Sequence, residues 1–163
     1  MTCPHLLSIL VSLYGQDNKF KFLDFGAGNI DHFAHLNKNL PSIQYFYHDL
    51  PQFNLTIQEL KNEFNLENLF VTKKLEDLQD KKLDFVFLGS ALQYIKDYLE
   101  TLSKIFDLGP KYIFISGQSC YQNKIDTNET FFISSSILYQ MFFLVSSSIW
   151  IREKNYLKKM VGS

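Results

Sequence analysis

The sequence predicts an α/β fold, a doubly wound and mainly parallel sheet. Three observations predict it. Short apolar runs alternate with amphipathic segments along most of the chain, the pattern of successive strand–helix–strand units. The run Leu83 to Leu88 is almost wholly apolar, as a strand buried on both faces must be. The first strand, Phe20 to Phe25, leads straight into a glycine turn, Gly26-Ala27-Gly28; ligands sit at the strand exits in sheets of this kind.

The elements follow in order. Phe20 to Phe25 alternates as a strand does. Ile30 to Leu40 reads as a helix, with Phe33 and Leu36 at i, i+3 spacing and Pro41 closing it. Ile43 to Tyr47 is a second strand, leaving through His48-Asp49-Leu50-Pro51. Thr56 to Phe64 reads as a second helix, opened by a capping box of Thr56 and Glu59. Leu69 to Val71 and Leu83 to Leu88 are the third and fourth strands. Asp97 and Glu100 cap a helix to Phe106 that stops at Gly109-Pro110. Tyr112 to Ile115 is the fifth strand, Gln118 to Asn128 a polar loop, and Arg152 to Met160 a terminal helix. A doubly wound sheet ending on a helix lacks the strands that follow it. The expected sheet is therefore truncated before its last two strands, with an open edge at the fifth. We read 1–163 as one domain, in which 1–116 is the ligand-binding core and 117–163 a loop, an apolar segment and a helix.

Composition narrows the function. A chain of 163 residues with 46% hydrophobic and 20% charged residues is one globular domain, not a disordered segment. Sixteen basic against 17 acidic residues give a net charge of -1, so no basic field recruits nucleic acid. Cys3 and Cys120 are far apart and lack metal-ligand spacing. That excludes a disulfide framework and a zinc ribbon and fits a reducing cytoplasm. His5, His32, His35 and His48 share no metal-ligand spacing either, so no metal is expected. Met1 to Gly15 has no positive n-region and no cleavage site, and reads as a short amphipathic helix rather than a signal. Thr130 to Ile151 carries no charge over about 22 residues, long enough to cross a bilayer. Its serine clusters weaken insertion, so a membrane is not the expected partner. The stretch is expected to be buried or to join copies of the chain in a homo-oligomer.

The strand exits carry the candidate chemistry. Glycines 26 and 28 let the backbone turn tightly and approach a ligand. The turn is not a phosphate loop: Asp31 stands where a third glycine would be, and no Lys-Ser or Lys-Thr follows. Asp24, just before the turn, opposes a phosphate but suits a ligand carrying an amino group and a sulfonium, which points to S-adenosylmethionine. About 25 residues on, Asp49 leaves the second strand where a carboxylate accepts the two hydroxyls of a ribose. Glu76-Asp77 is the next acidic pair, and Gly89-Ser90-Ala91-Leu92-Gln93-Tyr94 leaves the fourth strand.

Leu23-Asp24-Phe25-Gly26-Ala27-Gly28, Tyr47-His48-Asp49-Leu50-Pro51 and Asp84 through Tyr94 together resemble the motifs of class I S-adenosylmethionine-dependent methyltransferases. They are similar in particular to small bacterial methyltransferase-like proteins of undefined substrate, with a Leu-Asp-Phe-Gly-Gly-Gly turn and a Ser-x-x-Leu-Gln-Tyr motif, often found among surface-polysaccharide genes. The resemblance spans roughly Leu6 to Ser116 and, more faintly, Trp150 to Gly162. It implies a Rossmann-like sheet and a cofactor, S-adenosylmethionine. Gly26, Ala27 and Gly28 would wrap its methionine part, and Asp24 would face its amino end. Asp49 would hold the ribose and Leu50 lie under the adenine, with Leu75 and Glu76 at the adenine edge. Gly89 and Ser90 would pass the sulfonium, while Gln93 and Tyr94 would line the pocket of a small-molecule or carbohydrate acceptor. Ile30 departs from the resembled turn, whose third glycine it replaces, and is expected to crowd the turn or the first helix.

Each assignment has a plainer counterpart. Asp49 also reads as a solvated turn residue, Asp24 as a turn cap and Tyr94 as ordinary core. Gln93 is less expected in a core, which leaves a pocket role evenly balanced. His48, alone of the histidines at a strand exit, is a candidate base or substrate contact. Ser90 has no histidine at recognisable spacing, so a covalent nucleophile is not expected. Three readings of the whole follow: a cytoplasmic methyltransferase, a degenerate binding protein without activity, and a membrane-attached protein.

Overall fold

The computed structural model describes residues 20–116 and the strand at 143–146. One sheet contains β1 (Lys21–Phe25), β2 (Gln44–His48), β3 (Leu69–Val71), β4 (Phe85–Gly89), β5 (Tyr112–Ser116) and β6 (Phe143–Ser146). Its order is β3-β2-β1-β4-β5-β6. The first five strands pair in parallel and β6 runs antiparallel to β5. Helices α1 (Asp31–Asn39), α2 (Pro51–Glu63) and α3 (Tyr98–Asp107) connect the strands, with 3-10 turns at Leu75–Leu78 and Leu92–Tyr94. This is the doubly wound, Rossmann-like sheet the alternation predicts. Its order reverses between β1 and β4, so the exits of those two strands flank the switch point.

Strand alternation sorts the core into two layers. On one face Phe22, Tyr45, Tyr47, Phe85 and Phe87 pack under α1 and α2 through Phe33, Leu36 and Ile57. On the other, Leu23, Phe46, Val86, Leu88 and Ile113 pack under α3 through Leu102, Ile105 and Phe106. The first layer is rich in aromatic rings: Phe22 stacks on Phe85 at 5.6 Å and on Tyr45 at 5.2 Å. Such aromatic pairs add about 0.5–1.5 kcal/mol each beyond their burial.

The structure corrects several sequence expectations. Helix α2 starts at Pro51 rather than Thr56. Proline lacks the amide that the first helical turn leaves unbonded, so it suits that position. Thr56 is interior, its hydroxyl donating to the Gln52 carbonyl at 3.2 Å, and forms no capping box. Asp97 stands at the N-cap of α3, but its side chain makes no capping bond. Helix α1 begins at Asp31 with Ile30 as N-cap. Ile30 has no acceptor to offer, and the Asn29 side chain serves instead, accepting from the Asp31 amide at 2.9 Å. Ile30 has φ -106°, which needs no glycine, and packs against the first core layer; the expected crowding of α1 does not arise.

The expected open edge at β5 is also corrected, because β6 pairs along it from Tyr112↔Ser146 to Ile115↔Phe143. Phe-Leu-Val-Ser is strand-favouring, but inside a long uncharged run its period does not distinguish strand from buried helix. The uncharged window is therefore not one continuous helix. The remainder of Thr130–Ile151, the helices read at Met1–Gly15 and Arg152–Met160, the loop at Gln118–Asn128, and Cys3 and Cys120 lie outside the described residues. Among the described residues no helix is long and apolar enough to cross a membrane.

Candidate functional site

The glycine turn is built by its contacts. Gly26 has φ +67°, and its amide donates to the His48 carbonyl at 2.8 Å. A Cβ on Gly26 would lie 2.6 Å from the Ala91 Cβ. The turns leaving β1 and β4 therefore touch, and only glycine allows that approach. Gly28 has φ +70°, and a Cβ there would meet nothing within 4 Å. The turn is packed on one side at Gly26 and open at Gly28.

Asp49 closes the turn from β2. Its Oδ2 accepts from the Gly28 amide at 2.6 Å and its Oδ1 from the Leu50 amide at 2.6 Å. Bonds from amides to a carboxylate are among the stronger neutral-donor bonds. Asn54, buried on α2, holds the loop in place. Its Oδ1 accepts from the Asp49 amide at 3.1 Å, and its Nδ2 donates to the Asp49 carbonyl at 2.9 Å and the Thr72 carbonyl at 3.3 Å. Leu50, beside the acid, is 57% exposed.

Asp24 is 1% exposed. Its Oδ2 meets His32 Nδ1 at 2.8 Å and accepts from the Tyr45 hydroxyl. His32 stands in the first turn of α1, its ring edge-on to Phe87 at 5.1 Å. Burial pulls the His32 pKa down, but the hydrogen bond and charge of Asp24, with the charge of Asp31, outweigh that and leave it raised. The Tyr45 phenol is pushed well up, first by burial and then by Asp24. Beside this group the Tyr47 hydroxyl is buried without a hydrogen-bond partner among the described residues. Its pKa is raised by burial and then by Asp49 and Asp24.

The raised His32 pKa has a measurable consequence. A histidine that holds its proton more tightly when folded stabilises the fold below its unfolded pKa, and the contribution is lost as pH rises through the folded pKa. The stability gap between wild type and His32→Asn should be widest below pH about 6.5 and narrow above it. Urea unfolding of both chains from acid to alkaline pH checks this; a gap that widens with pH contradicts it.

The other predicted residues are more dispersed. His48 lies at the end of β2, stacked on Phe25 at 5.2 Å, its Nδ1 donating to the Thr72 carbonyl at 2.9 Å. Burial lowers its pKa, which leaves a neutral ring at pH 7. Gly89 ends β4, and Ser90 follows with φ +56° and its amide donating to the Ser116 carbonyl at 2.8 Å. A non-glycine residue in that region stores about 1–3 kcal/mol of strain, often at functional sites. Leu75 is buried in the second core layer. Glu76 is exposed, 4.0 Å from Lys104 of α3. Tyr94 is 82% exposed, so its reading as ordinary core is wrong; the 3-10 turn at Leu92–Tyr94 carries it outward. Gln93 is exposed on the same turn.

The structure thus joins the Gly26–Gly28 turn, Asp49 and the β4 exit. It takes Asp24 into a buried group and leaves Tyr94 on the surface. Sequence reasoning missed Asn54, His32, Tyr45 and Tyr47. Asn54 had a signal: it precedes Ile57 by one helical turn on the buried face of α2. A cavity of about 470 Å³, lined by Gln44, Phe46, Phe70, Thr72, Asp77 and Lys81 among others, lies along the β3 edge and includes none of the glycine-turn residues.

No family model matches the chain, and no curated protein matches it. Solved structures do. This chain shares its fold with solved structures of S-adenosylmethionine-dependent methyltransferases. A candidate sarcosine dimethylglycine methyltransferase from Galdieria sulphuraria is 19% identical with a TM-score of 0.55, over 69% of this chain and 45% of that one. A candidate S-adenosyl-L-methionine-dependent methyltransferase from Methanococcus maripaludis is 15% identical with a TM-score of 0.55, over 71% and 54%. The [4+2]-cyclase SpnF is 14% identical with a TM-score of 0.55, over 69% and 44%. The chain thus spans about half the length of these structures. One fold here hosts a cyclase beside methyltransferases, so the reaction has to be argued from the site.

Proposed function

We propose that the chain binds S-adenosylmethionine and transfers its methyl group directly to a small-molecule or carbohydrate acceptor in the cytoplasm. The observation that carries the reading is the Gly28–Asp49 contact at the switch point: a carboxylate beside a glycine whose side toward solvent is open. That cradle fits a nucleoside with a chain attached. The carboxylate accepts the ribose hydroxyls, and the open side of Gly28 leaves room that a Cβ would fill. Exposed Leu50 offers an apolar surface for the base. The cofactor, when bound, supplies an electrophilic methyl group on sulfur. The chain's own residues orient it and exclude water, so no covalent nucleophile is required. Of His48, Gln93 and Tyr94, His48 suits a general base, because burial holds it neutral and its Nδ1 is fixed on a carbonyl.

Titration calorimetry with S-adenosylhomocysteine tests the reading. Wild type should bind, and Asp49→Ala should lose about 1.5–3 kcal/mol, the size of hydrogen bonds to a charged group, or about 10- to 150-fold in Kd. Absence of binding by wild type at millimolar ligand overturns it. A second reading, a binding protein without turnover, is favoured by the burial of Asp24, which leaves the amino end of the ligand without its expected anion. Binding without methyl transfer to any acceptor tried would support that reading.

A further inference from the structure

The residues under the glycine turn form a closed figure. Asp24 is the penultimate residue of β1, and His32 stands in the first turn of α1; the glycine turn, Gly26 to Asn29, is strung between them. The 2.8 Å bond from His32 Nδ1 to Asp24 Oδ2 ties the two ends of that segment together. Tyr45 of β2 donates to the same oxygen and anchors the tie to the neighbouring strand. Phe87 of β4 meets the His32 ring edge-on, with centroids 5.1 Å apart. The amide inside this loop that meets Asp49 is that of Gly28. Closing a short loop restricts the excursions of everything within it.

We propose that His32 and Tyr45 are positioning residues which hold Asp24 away from the ligand and, by closing the loop from Asp24 to His32, aim the Gly28 amide at Asp49. The assignment rests on the nucleoside-binding reading above and deepens it. It removes Asp24 from the set of residues that touch the ligand and adds two that shape the site without touching it. Asp24 at 1% exposure, with two donors on one oxygen, has its contacts inside the protein.

The test compares two probes, S-adenosylhomocysteine and 5′-methylthioadenosine, which lacks the amino-acid end. His32→Ala should weaken both by about tenfold, the effect of one lost hydrogen bond to a charged group. His32→Asn, whose amide can donate from nearly the same place, should restore most of the loss. Asp24→Asn should weaken both probes alike. A loss confined to S-adenosylhomocysteine in Asp24→Asn means that the carboxylate touches the ligand, and overturns the proposal. Wild-type affinity in all three variants overturns it as well.

A second measurement needs no ligand. Amide hydrogen exchange at Gly28 should be about tenfold faster or more in His32→Ala than in wild type, and should slow again in His32→Asn. Unchanged exchange overturns the proposal. Tyr45→Phe carries the same exchange measurement should His32→Ala fail to fold. If wild type binds neither probe, the nucleoside reading fails, while the exchange result still decides whether the clasp sets the turn.

Discussion

Gly26→Ala is expected to cost the fold about 3 kcal/mol or more, and Gly28→Ala much less. Both glycines have positive φ, +67° and +70°, so either substitution carries about 1–2 kcal/mol of left-handed strain. They differ in what the new methyl group meets. At Gly26 it would sit 2.6 Å from the Ala91 Cβ, closer than carbon atoms pack, and Ala91 is itself buried. A β-carbon has no rotamer with which to move aside, so the backbone of one turn must shift, at about 1–3 kcal/mol for overpacking. At Gly28 it would meet nothing within 4 Å, so the methyl group would occupy the space assigned to the ligand. Urea unfolding should separate the two variants, and calorimetry should show Gly28→Ala binding S-adenosylhomocysteine weakly while folding well. Gly26→Ala combined with Ala91→Gly should recover part of the loss. Equal destabilisation by the two alanines, or no recovery in the double variant, would show that the turns do not meet as described.

That contrast marks how far the sequence could be read. The order of strands and helices was legible because the apolar runs have the right lengths and are separated by turn residues. The positions of the glycine turn and of Asp49 followed from where β1 and β2 end. Boundaries failed where local chemistry was ambiguous. Thr56 looked like a cap because Thr-x-x-Glu is a capping pattern, yet Pro51 had already opened the helix five residues earlier. The strand at Phe143–Ser146 was hidden in an uncharged run with no period to reveal it. The burial of Asp24 was legible in principle: β1 is covered on both faces, and alternation from Phe22 puts Asp24 on the face under α1. Its partners were not, since His32 lies eight residues and Tyr45 twenty-one residues away, and only the pairing of β1 with β2 and the docking of α1 bring them together. Asn54 was missed for a similar reason. Its role depends on Thr72, eighteen residues on.

Asp24→Leu is the other substitution expected to act strongly, and its effect should depend on pH. Leucine has as many side-chain heavy atoms as aspartate and is bulkier, so no cavity forms, and any cost of overpacking is the same at every pH. What is lost is the acceptor. His32 would be left buried with its proton and without its counter-charge, and Tyr45 with a hydroxyl aimed at nothing. Removing one member of a buried ion pair costs about 3–5 kcal/mol because the other charge is left uncompensated. His32 can escape part of this by releasing its proton, its side chain being 13% exposed. The loss should therefore be near 3 kcal/mol at pH about 6, where wild-type His32 is charged. It should shrink toward the cost of the stranded Tyr45 hydroxyl, about 1–3 kcal/mol, once His32 is neutral in both chains. The sign follows from the raised His32 pKa: the wild-type pair stabilises most at low pH and fades as pH rises through that pKa. Urea unfolding of wild type and Asp24→Leu on the acid and alkaline sides of neutrality measures both limits. Nuclear magnetic resonance should show His32 titrating lower in the variant, since burial then acts without Asp24 to oppose it. A loss below about 1 kcal/mol at both pH values would mean that Asp24 is solvated rather than clasped, and a His32 that titrates unchanged would place its partner elsewhere.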